Sequence, residues 1–122
     1  MRKRPLLRVK RAYEPPALDD GVRVLVDRLW PRGLSKARAS VDLWLKDMAP
    51  SARLRRWFNH DPARWTEFTM RYAQELDAKR PAVAALLGAT RRGPITLLFG
   101  ARDERHNNAV ALHAYLTRQD HA

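Results

Sequence analysis

Apolar residues recur along the chain in two patterns: short runs that are almost continuous, and stripes at helical spacing. The runs at residues 22–27 (VRVLVD) and 95–99 (ITLLF) predict strands that are covered on both faces of a sheet. Apolar and polar side chains alternate over residues 41–45, which is a strand pattern. Residues 6–12 (LLRVKRA) predict a further strand, which ends before Glu14-Pro15-Pro16 because proline cannot donate to a ladder.

Apolar side chains at helical spacing are clearest in residues 65–76, where they predict a helix. They lie three or four positions apart and are Trp65, Phe68, Tyr72 and Leu76. Asp61 is a good N-cap for this helix, and Pro62 suits its first turn. Other helices are predicted at 36–39 with Ser35 as cap, at 52–58 with Ser51 as cap, after Pro81, and at 104–118 with Asp103 as cap.

Strands that alternate with helices predict an α/β fold: a small, mostly parallel sheet of three to four strands flanked by helices. The chain of 122 residues is long enough for a hydrophobic core, and we interpret residues 1–122 as a single domain. We expect segments 22–27, 41–45 and 95–99 to be neighbouring parallel strands. In sheets of this kind, ligands bind beyond the carboxyl ends of the strands.

The composition excludes several kinds of chemistry. The chain has no cysteine, so a disulfide, a thiolate zinc site and a cysteine nucleophile are ruled out. Histidine spacing fits no standard metal motif, and neither a P-loop nor a GxGxxG motif is present, so we expect neither a metal nor a cofactor. A mixed site such as His106 with Asp27 is the less favoured alternative. Because no apolar run approaches the ~20 residues that span a bilayer, we expect a cytoplasmic protein with no membrane partner.

Basic residues are concentrated at the amino-terminal end. The net charge is +11, and the segment 1–11 contains Arg2, Lys3, Arg4, Arg8, Lys10 and Arg11. Such a segment binds nucleic acid through phosphates in some proteins, and in others it is a solvated end that aids solubility. The sequence leaves both interpretations open.

The first candidate site follows the strand at 22–27. Asp27, Arg28, Trp30 and Arg32 provide a carboxylate, two guanidiniums and an indole, which together suit an anionic ligand with a planar group. The structural alternative is an ion pair between Asp27 and either arginine, with Trp30 in the core.

The second candidate site follows the strand at 95–99. Arg102, Asp103, His106 and Asn107 lie where a buried strand leads into a helix, and a helix amino terminus favours an anion. The alternative is a cap at Asp103 and solvation of the other side chains. Two adjacent asparagines are unfavourable early in a helix, which favours a functional role for this segment.

Two other groups of charged residues carry weaker signals. Lys46 and Asp47 follow the strand at 41–45, and Lys46 is a further candidate ligand-binding residue, although such a pair is usually solvated. Arginines at 53, 55 and 56 lie beside Trp57 and Phe58. We interpret them as facing water while their apolar neighbours face the core.

Four blocks carry a resemblance to a known family: RVLVDRLWPRGLSK (23–36), DLWLKDMAPS (42–51), LRRWFNHDPARWTEF (54–68) and ITLLFGARDERHNNAVALHAYL (95–116). They resemble the YeaO-like family of bacterial and archaeal proteins, part of a larger group of domains of unknown function. The resemblance implies a small intracellular α/β domain and no particular activity. Broader members of that group carry cysteines near the last strand and helix. This chain has Phe99, Gly100 and Ala101 at the end of that strand, so sulfur chemistry would not transfer to it.

Two functions from different classes follow. The first is a small-molecule site, for an anionic ligand or a nucleotide, with Asp27, Arg28, Arg32, Arg102 and His106 as its polar floor. The alternative is a nucleic-acid-binding accessory protein that uses the basic segment and exposed arginines. The sequence leaves open whether the protein is an enzyme.

Overall fold

The computed structural model describes residues 7–120 and contains a four-stranded sheet in which every pairing is parallel. The strands are β1 (Leu7–Arg11), β2 (Val22–Leu25), β3 (Leu43–Trp44) and β4 (Ile95–Phe99). Their order across the sheet is β1-β4-β2-β3. The predicted α/β class and the three neighbouring parallel strands are thus confirmed. Of the predicted basic segment 1–11, residues 1–6 lie outside the described residues.

The described residues contain five α-helices: α1 (Lys36–Ala39), α2 (Ala52–Phe58), α3 (Trp65–Asp77), α4 (Arg80–Thr90) and α5 (Asn108–Asp120). The predicted cap Ser35 accepts a hydrogen bond from the backbone of Arg38, and Ser51 accepts one from Leu54. Asp61 caps the short 3₁₀ turn that leads into α3. Within residues 7–120, no helix combines the length and the apolar character needed to cross a membrane.

The sheet separates two apolar clusters. Successive side chains of a strand point to opposite faces, so Leu97 joins the larger cluster, together with α2 to α5, and Leu98 joins the smaller one near α1. In β2, Val24 and Leu25 divide in the same way. Burial on both faces is the physical reason why these two strands are almost continuously apolar.

A buried ion cluster lies at the start of β2, and the sequence did not reveal it. Asp20 accepts hydrogen bonds from Arg23 Nη1 at 2.7 Å and from Lys10 Nζ at 3.0 Å, and only 1% of Asp20 is exposed. Arg23 also donates to the backbone oxygen of Ala39. The cluster therefore ties β1, β2 and the end of α1 together.

Two predicted elements differ from the structure. The strand predicted at 41–45 is only Leu43–Trp44, because it lies at the edge of the sheet and pairs with β2 alone. The last helix begins at Asn108 rather than at residue 104. Asp103 is not its cap: the Asp103 carboxylate accepts the backbone N–H groups of Arg105 and His106, which closes a turn before the helix starts.

Candidate functional site

A pocket of about 370 Å³ opens where β2 and β4 end, and α2 and the start of α5 complete its wall. Pockets of this size accommodate small organic molecules. The lining comes from four parts of the chain: the segment after β2, α2 with the turn that follows it, α3, and the segment from the end of β4 to the start of α5. Its residues are Asp27, Arg28, Leu29, Arg55, Arg56, Phe58, Asn59, His60, Phe68, Ala101, His106, Asn107 and Asn108.

Asp27 joins the two strand ends that the sequence singled out. Its Oδ2 accepts the backbone N–H of Gly100 at 2.8 Å, and its Oδ1 accepts from Asn108 Nδ2 at 3.2 Å. A side chain at Gly100 would bring a Cβ to 3.3 Å from Oδ2, so glycine permits this close approach. Both carboxylate oxygens are therefore occupied by uncharged donors. The ion pair considered for Asp27 with Arg28 or Arg32 does not form.

The environment of Asp27 also changes its acidity. Burial raises the pKa of Asp27 above its ordinary value, and this effect outweighs the hydrogen bonds from Gly100 and Asn108 and the nearby charge of Arg55. The ionised carboxylate is consequently costly at this position, and a cation beside it lowers that cost.

Three arginines face the pocket without a carboxylate partner. Within residues 7–120, Arg28, Arg55 and Arg56 form no salt bridge, and the buried Nε of Arg55 has no hydrogen-bond partner. Leu54 and Phe58 anchor α2 in the core one turn apart, which turns Arg55 towards the carboxyl edge of the sheet. The interpretation that all the arginines of this helix face water is therefore wrong for Arg55, which is only partly exposed.

His106 is held in the pocket wall by its neighbours. Its Nδ1 lies 2.9 Å from Asp103 Oδ2, and its ring packs edge-on against the indole of Trp65 with the two ring centroids 5.2 Å apart. The hydrogen bond with His106 is the main reason why the pKa of Asp103 lies below its ordinary value. Asp103 therefore orients His106, although it does not line the pocket itself.

Asn107 is the residue that caps α5. Its Oδ1 accepts the backbone N–H of Val110 at 2.9 Å, and its Nδ2 donates to the backbone oxygen of Asp103 at 3.0 Å. Asn107 precedes the first helical residue, so the low helix propensity of asparagine does not destabilise α5 at this position. The two hydrogen bonds give Asn107 a structural role. The cap also places the amino terminus of α5, with Asn108, in the pocket wall.

Trp30 and Lys46 lie away from the pocket. Trp30 donates its indole N–H to the backbone oxygen of Leu34 at 2.6 Å and contacts Trp44 edge-on at 5.4 Å. Lys46 lies over the ring of Trp44, 4.2 Å from its centroid. These side chains belong to the opposite face of the sheet, with the smaller apolar cluster.

Arg32 and Arg102 are exposed and do not line the pocket either. The backbone oxygen of Arg32 accepts a hydrogen bond from the hydroxyl of Tyr13, so this segment is held by its main chain. Of the predicted site residues, the pocket thus combines four: Asp27, Arg28, His106 and Asn107.

The polar residues that sequence reasoning missed come mainly from α2 and the turn after it. Asn59 and His60 have φ values of 50° and 54°, in the left-handed region, and so turn the chain sharply into the pocket wall. The Asn-His-Asp-Pro sequence was a readable turn signal. That local sequence does not indicate that the turn lies beside the carboxyl ends of the strands in the folded protein.

Together, the fold and the pocket define a small α/β protein with a cationic pocket at the carboxyl edge of a parallel sheet. Within residues 7–120, no group of three or more histidine and carboxylate side chains is arranged to hold a metal ion. Residues 6–122 match the family model described as the inactive DUF488-N3 subclade, and the chain belongs to this family.

Relatives support the same assignment. An uncharacterised protein of Mycobacterium tuberculosis is 43% identical over 106 residues, which cover 87% of this chain and 89% of the relative. The uncharacterised protein YeaO of Escherichia coli is 36% identical over 110 residues, 90% of this chain and 96% of YeaO. The resemblance to the YeaO-like family is therefore confirmed. No solved structure matches the chain.

Proposed function

We propose that the pocket binds a small anionic ligand, a class that includes nucleotides. The observation that carries this proposal concerns Arg55: the residue lines the pocket, and its buried Nε has no hydrogen-bond partner among the described residues. Buried donors in native proteins are nearly always satisfied, so an orphaned guanidinium N–H at a pocket indicates a partner that binds there. Carboxylates and phosphates are the partners that guanidinium groups bind most strongly.

The charges around Arg55 support the same conclusion. Among the described residues, Asp27 is the only carboxylate that lines the pocket, and its oxygens are occupied by Gly100 and Asn108. Arg28 and Arg56 add two positive charges without adding a counter-charge. The amino terminus of α5 contributes positive partial charge to the same wall.

Binding is favoured over turnover. Asp103 and His106 are arranged like a general base and the group that orients it, because the carboxylate holds one ring nitrogen and the ring lines the pocket. The family, however, is described as an inactive subclade. We therefore assign His106 to the binding surface, where its ring provides a hydrogen bond to the ligand.

The nucleic-acid alternative draws less support from the described residues. Arg8 pairs with Asp19, and Lys10 donates to the buried Asp20. Arg11 donates to the backbone oxygens of residues 100 and 101. Much of the positive charge in β1 is therefore already used within the molecule, and this hypothesis rests on the basic residues before β1 and on exposed arginines elsewhere in the chain.

The test compares two arginines of the same helix. Thermal unfolding of wild type, Arg55→Gln and Arg53→Gln is measured with inorganic phosphate, pyrophosphate or AMP, against sodium chloride of matched ionic strength. Arg53 is exposed and does not line this pocket, so it is the matched control. We expect a ligand-dependent rise of Tm in wild type and Arg53→Gln that is largely lost in Arg55→Gln.

The variant also separates binding from folding. Arg55→Gln removes an unsatisfied buried donor, but it also removes the charge that lowers the cost of the Asp27 carboxylate, so we expect a modest fall of the Tm without ligand. The ligand-dependent shift is therefore measured from the unliganded Tm of each variant. An unchanged ligand-dependent shift in Arg55→Gln would contradict the proposal, as would the absence of any shift in wild type.

A further inference from the structure

The number of unbalanced charges in the pocket indicates the charge of its ligand. The guanidinium groups of Arg28, Arg55 and Arg56 carry three positive charges, and the carboxylate of Asp27 carries one negative charge. Two positive charges are left without a counter-charge among the lining residues. His60 and His106 also belong to this wall.

A ligand with two negative charges on one group would complete this balance. A phosphate monoester carries about −1.5 to −2 at pH 7, whereas a phosphate diester or a single carboxylate carries only about −1. With a monoanion, one guanidinium would lack a counter-charge in the complex, so the site would gain fewer charge-assisted hydrogen bonds than with a dianion.

The rest of the pocket favours an ester over a bare phosphate ion. Its volume of about 370 Å³ is in the range of sites for small organic molecules. Leu29 and Ala101 provide apolar surface beside the arginines, and 70% of Leu29 is exposed at the rim. The amides of Asn59 and Asn108 lie in the same wall and offer hydrogen bonds to an uncharged group.

We infer that the ligand is a phosphate monoester of a small organic group, bound as the dianion. The inference rests on the proposed function, since it assigns a ligand class to the same pocket. The three arginines hold the phosphate, and the organic group lies against Leu29 and Ala101. The pocket thereby selects monoesters over diesters and over inorganic phosphate.

The test is a set of matched ligands, measured by isothermal titration calorimetry on the full chain at pH 8. AMP and 3′,5′-cyclic AMP share base and ribose but differ in phosphate charge. Ribose 5-phosphate keeps the phosphate monoester but lacks the base. Inorganic phosphate lacks the organic group, and adenosine lacks the phosphate. We expect AMP or ribose 5-phosphate to bind about tenfold or more tightly than cyclic AMP, phosphate or adenosine.

The outcomes distinguish this inference from the proposed function. Equal affinity for AMP and cyclic AMP, or for inorganic phosphate and both monoesters, would overturn the monoester inference and leave anion binding intact. Binding of adenosine as tight as that of AMP, or no binding of any anion, would overturn both.

A variant on the exposed rim tests the charge argument itself. Arg56 is exposed, so Arg56→Gln removes one charge with little risk to folding. We expect the preference for AMP over cyclic AMP to fall several-fold, mainly through weaker AMP binding, while Arg53→Gln keeps the preference of wild type. An unchanged preference in Arg56→Gln would contradict the charge count.

Discussion

Asp20 and Asp27 are both withdrawn from water, yet their surroundings move the two pKa values in opposite directions. Burial acts to raise the pKa of Asp20, but hydrogen bonds from Ala17, Lys10 and Arg23 outweigh it and bring the pKa below its ordinary value. At Asp27 burial dominates and the pKa is raised. The difference arises because Asp20 has two charged donors, whereas Asp27 has only uncharged ones.

Asp20→Asn tests the buried ion cluster. The substitution leaves Arg23, whose side chain is 3% exposed, without its carboxylate, so we expect the free energy of unfolding at pH 7 to fall by about 3 kcal/mol. Asp19→Asn is the neighbouring control, because the Arg8–Asp19 pair is exposed and its loss should lie within experimental error. Urea denaturation of both variants measures the difference. Equal stabilities would show that the cluster does not support the fold.

Asp27→Asn tests the cost of the buried carboxylate. A raised folded-state pKa means that the folded protein binds the proton more tightly than the unfolded chain. The stability of wild type relative to Asp27→Asn should therefore fall as the pH rises above the ordinary Asp pKa of 3.8. Urea denaturation of both proteins at several pH values from about 4 to 7 measures this difference. A difference that stays constant or grows with pH would contradict the raised pKa.

At the scale of elements, one turn sets the register between the two central strands. Gly21 precedes β2 with φ +66°, and the backbone N–H of Val22 donates to the oxygen of Pro94 just before β4. A Cβ on Gly21 would lie 2.0 Å from that oxygen. Only glycine therefore allows β2 to start beside β4 at this point, and the same pairing brings Asp27 opposite the end of β4.

Gly21→Ala is expected to be strongly destabilising for this reason, by about 3 kcal/mol or more. Gly33→Ala is the matched control: Gly33 also has a positive φ, +75°, but its Cβ would meet no atom within 4 Å. It should cost only the backbone strain, about 1–2 kcal/mol. Thermal or urea unfolding of the pair separates the steric clash from the strain. Similar losses in the two variants would rule out the contact with Pro94 as the cause.

At the scale of the whole molecule, the net charge of +11 is distributed unevenly between neutralised and free groups. The cations of β1 largely have partners within the chain, while the pocket arginines form no salt bridge among the described residues. The proposed anion site and the alternative nucleic-acid binding therefore depend on different charged groups, and the two can be tested separately.

Deletion of residues 1–5 separates them. It removes Arg2, Lys3 and Arg4, so we expect weaker binding of a duplex DNA oligonucleotide, with any residual binding falling steeply with salt and showing little base preference. AMP binding in the pocket should be unchanged. Fluorescence anisotropy for DNA and calorimetry for AMP measure the two affinities. DNA binding that is insensitive to salt, or unaffected by the deletion, would contradict the nucleic-acid hypothesis.

The sequence by itself determined the elements whose cause is local. The apolar runs of β2 and β4, the stripe of α3 and the caps Ser35 and Ser51 depend on side-chain spacing and on bonds to the next few residues, so they were predicted. Parallel strands separated by helices then brought the segments after β2 and β4 to one edge.

The tertiary structure decided which side chains meet at that edge. Arg55 lines the pocket only because α2 packs across the end of the sheet, and no spacing within its helix distinguishes it from Arg53. Asn107 is a cap because Asp103 closes a turn first. Arg23 lies within an apolar strand, and it can be buried because Asp20 and the backbone oxygen of Ala39 accept hydrogen bonds from its guanidinium group. In each case the deciding partner lies outside the local pattern, and only folding brings it within hydrogen-bond distance.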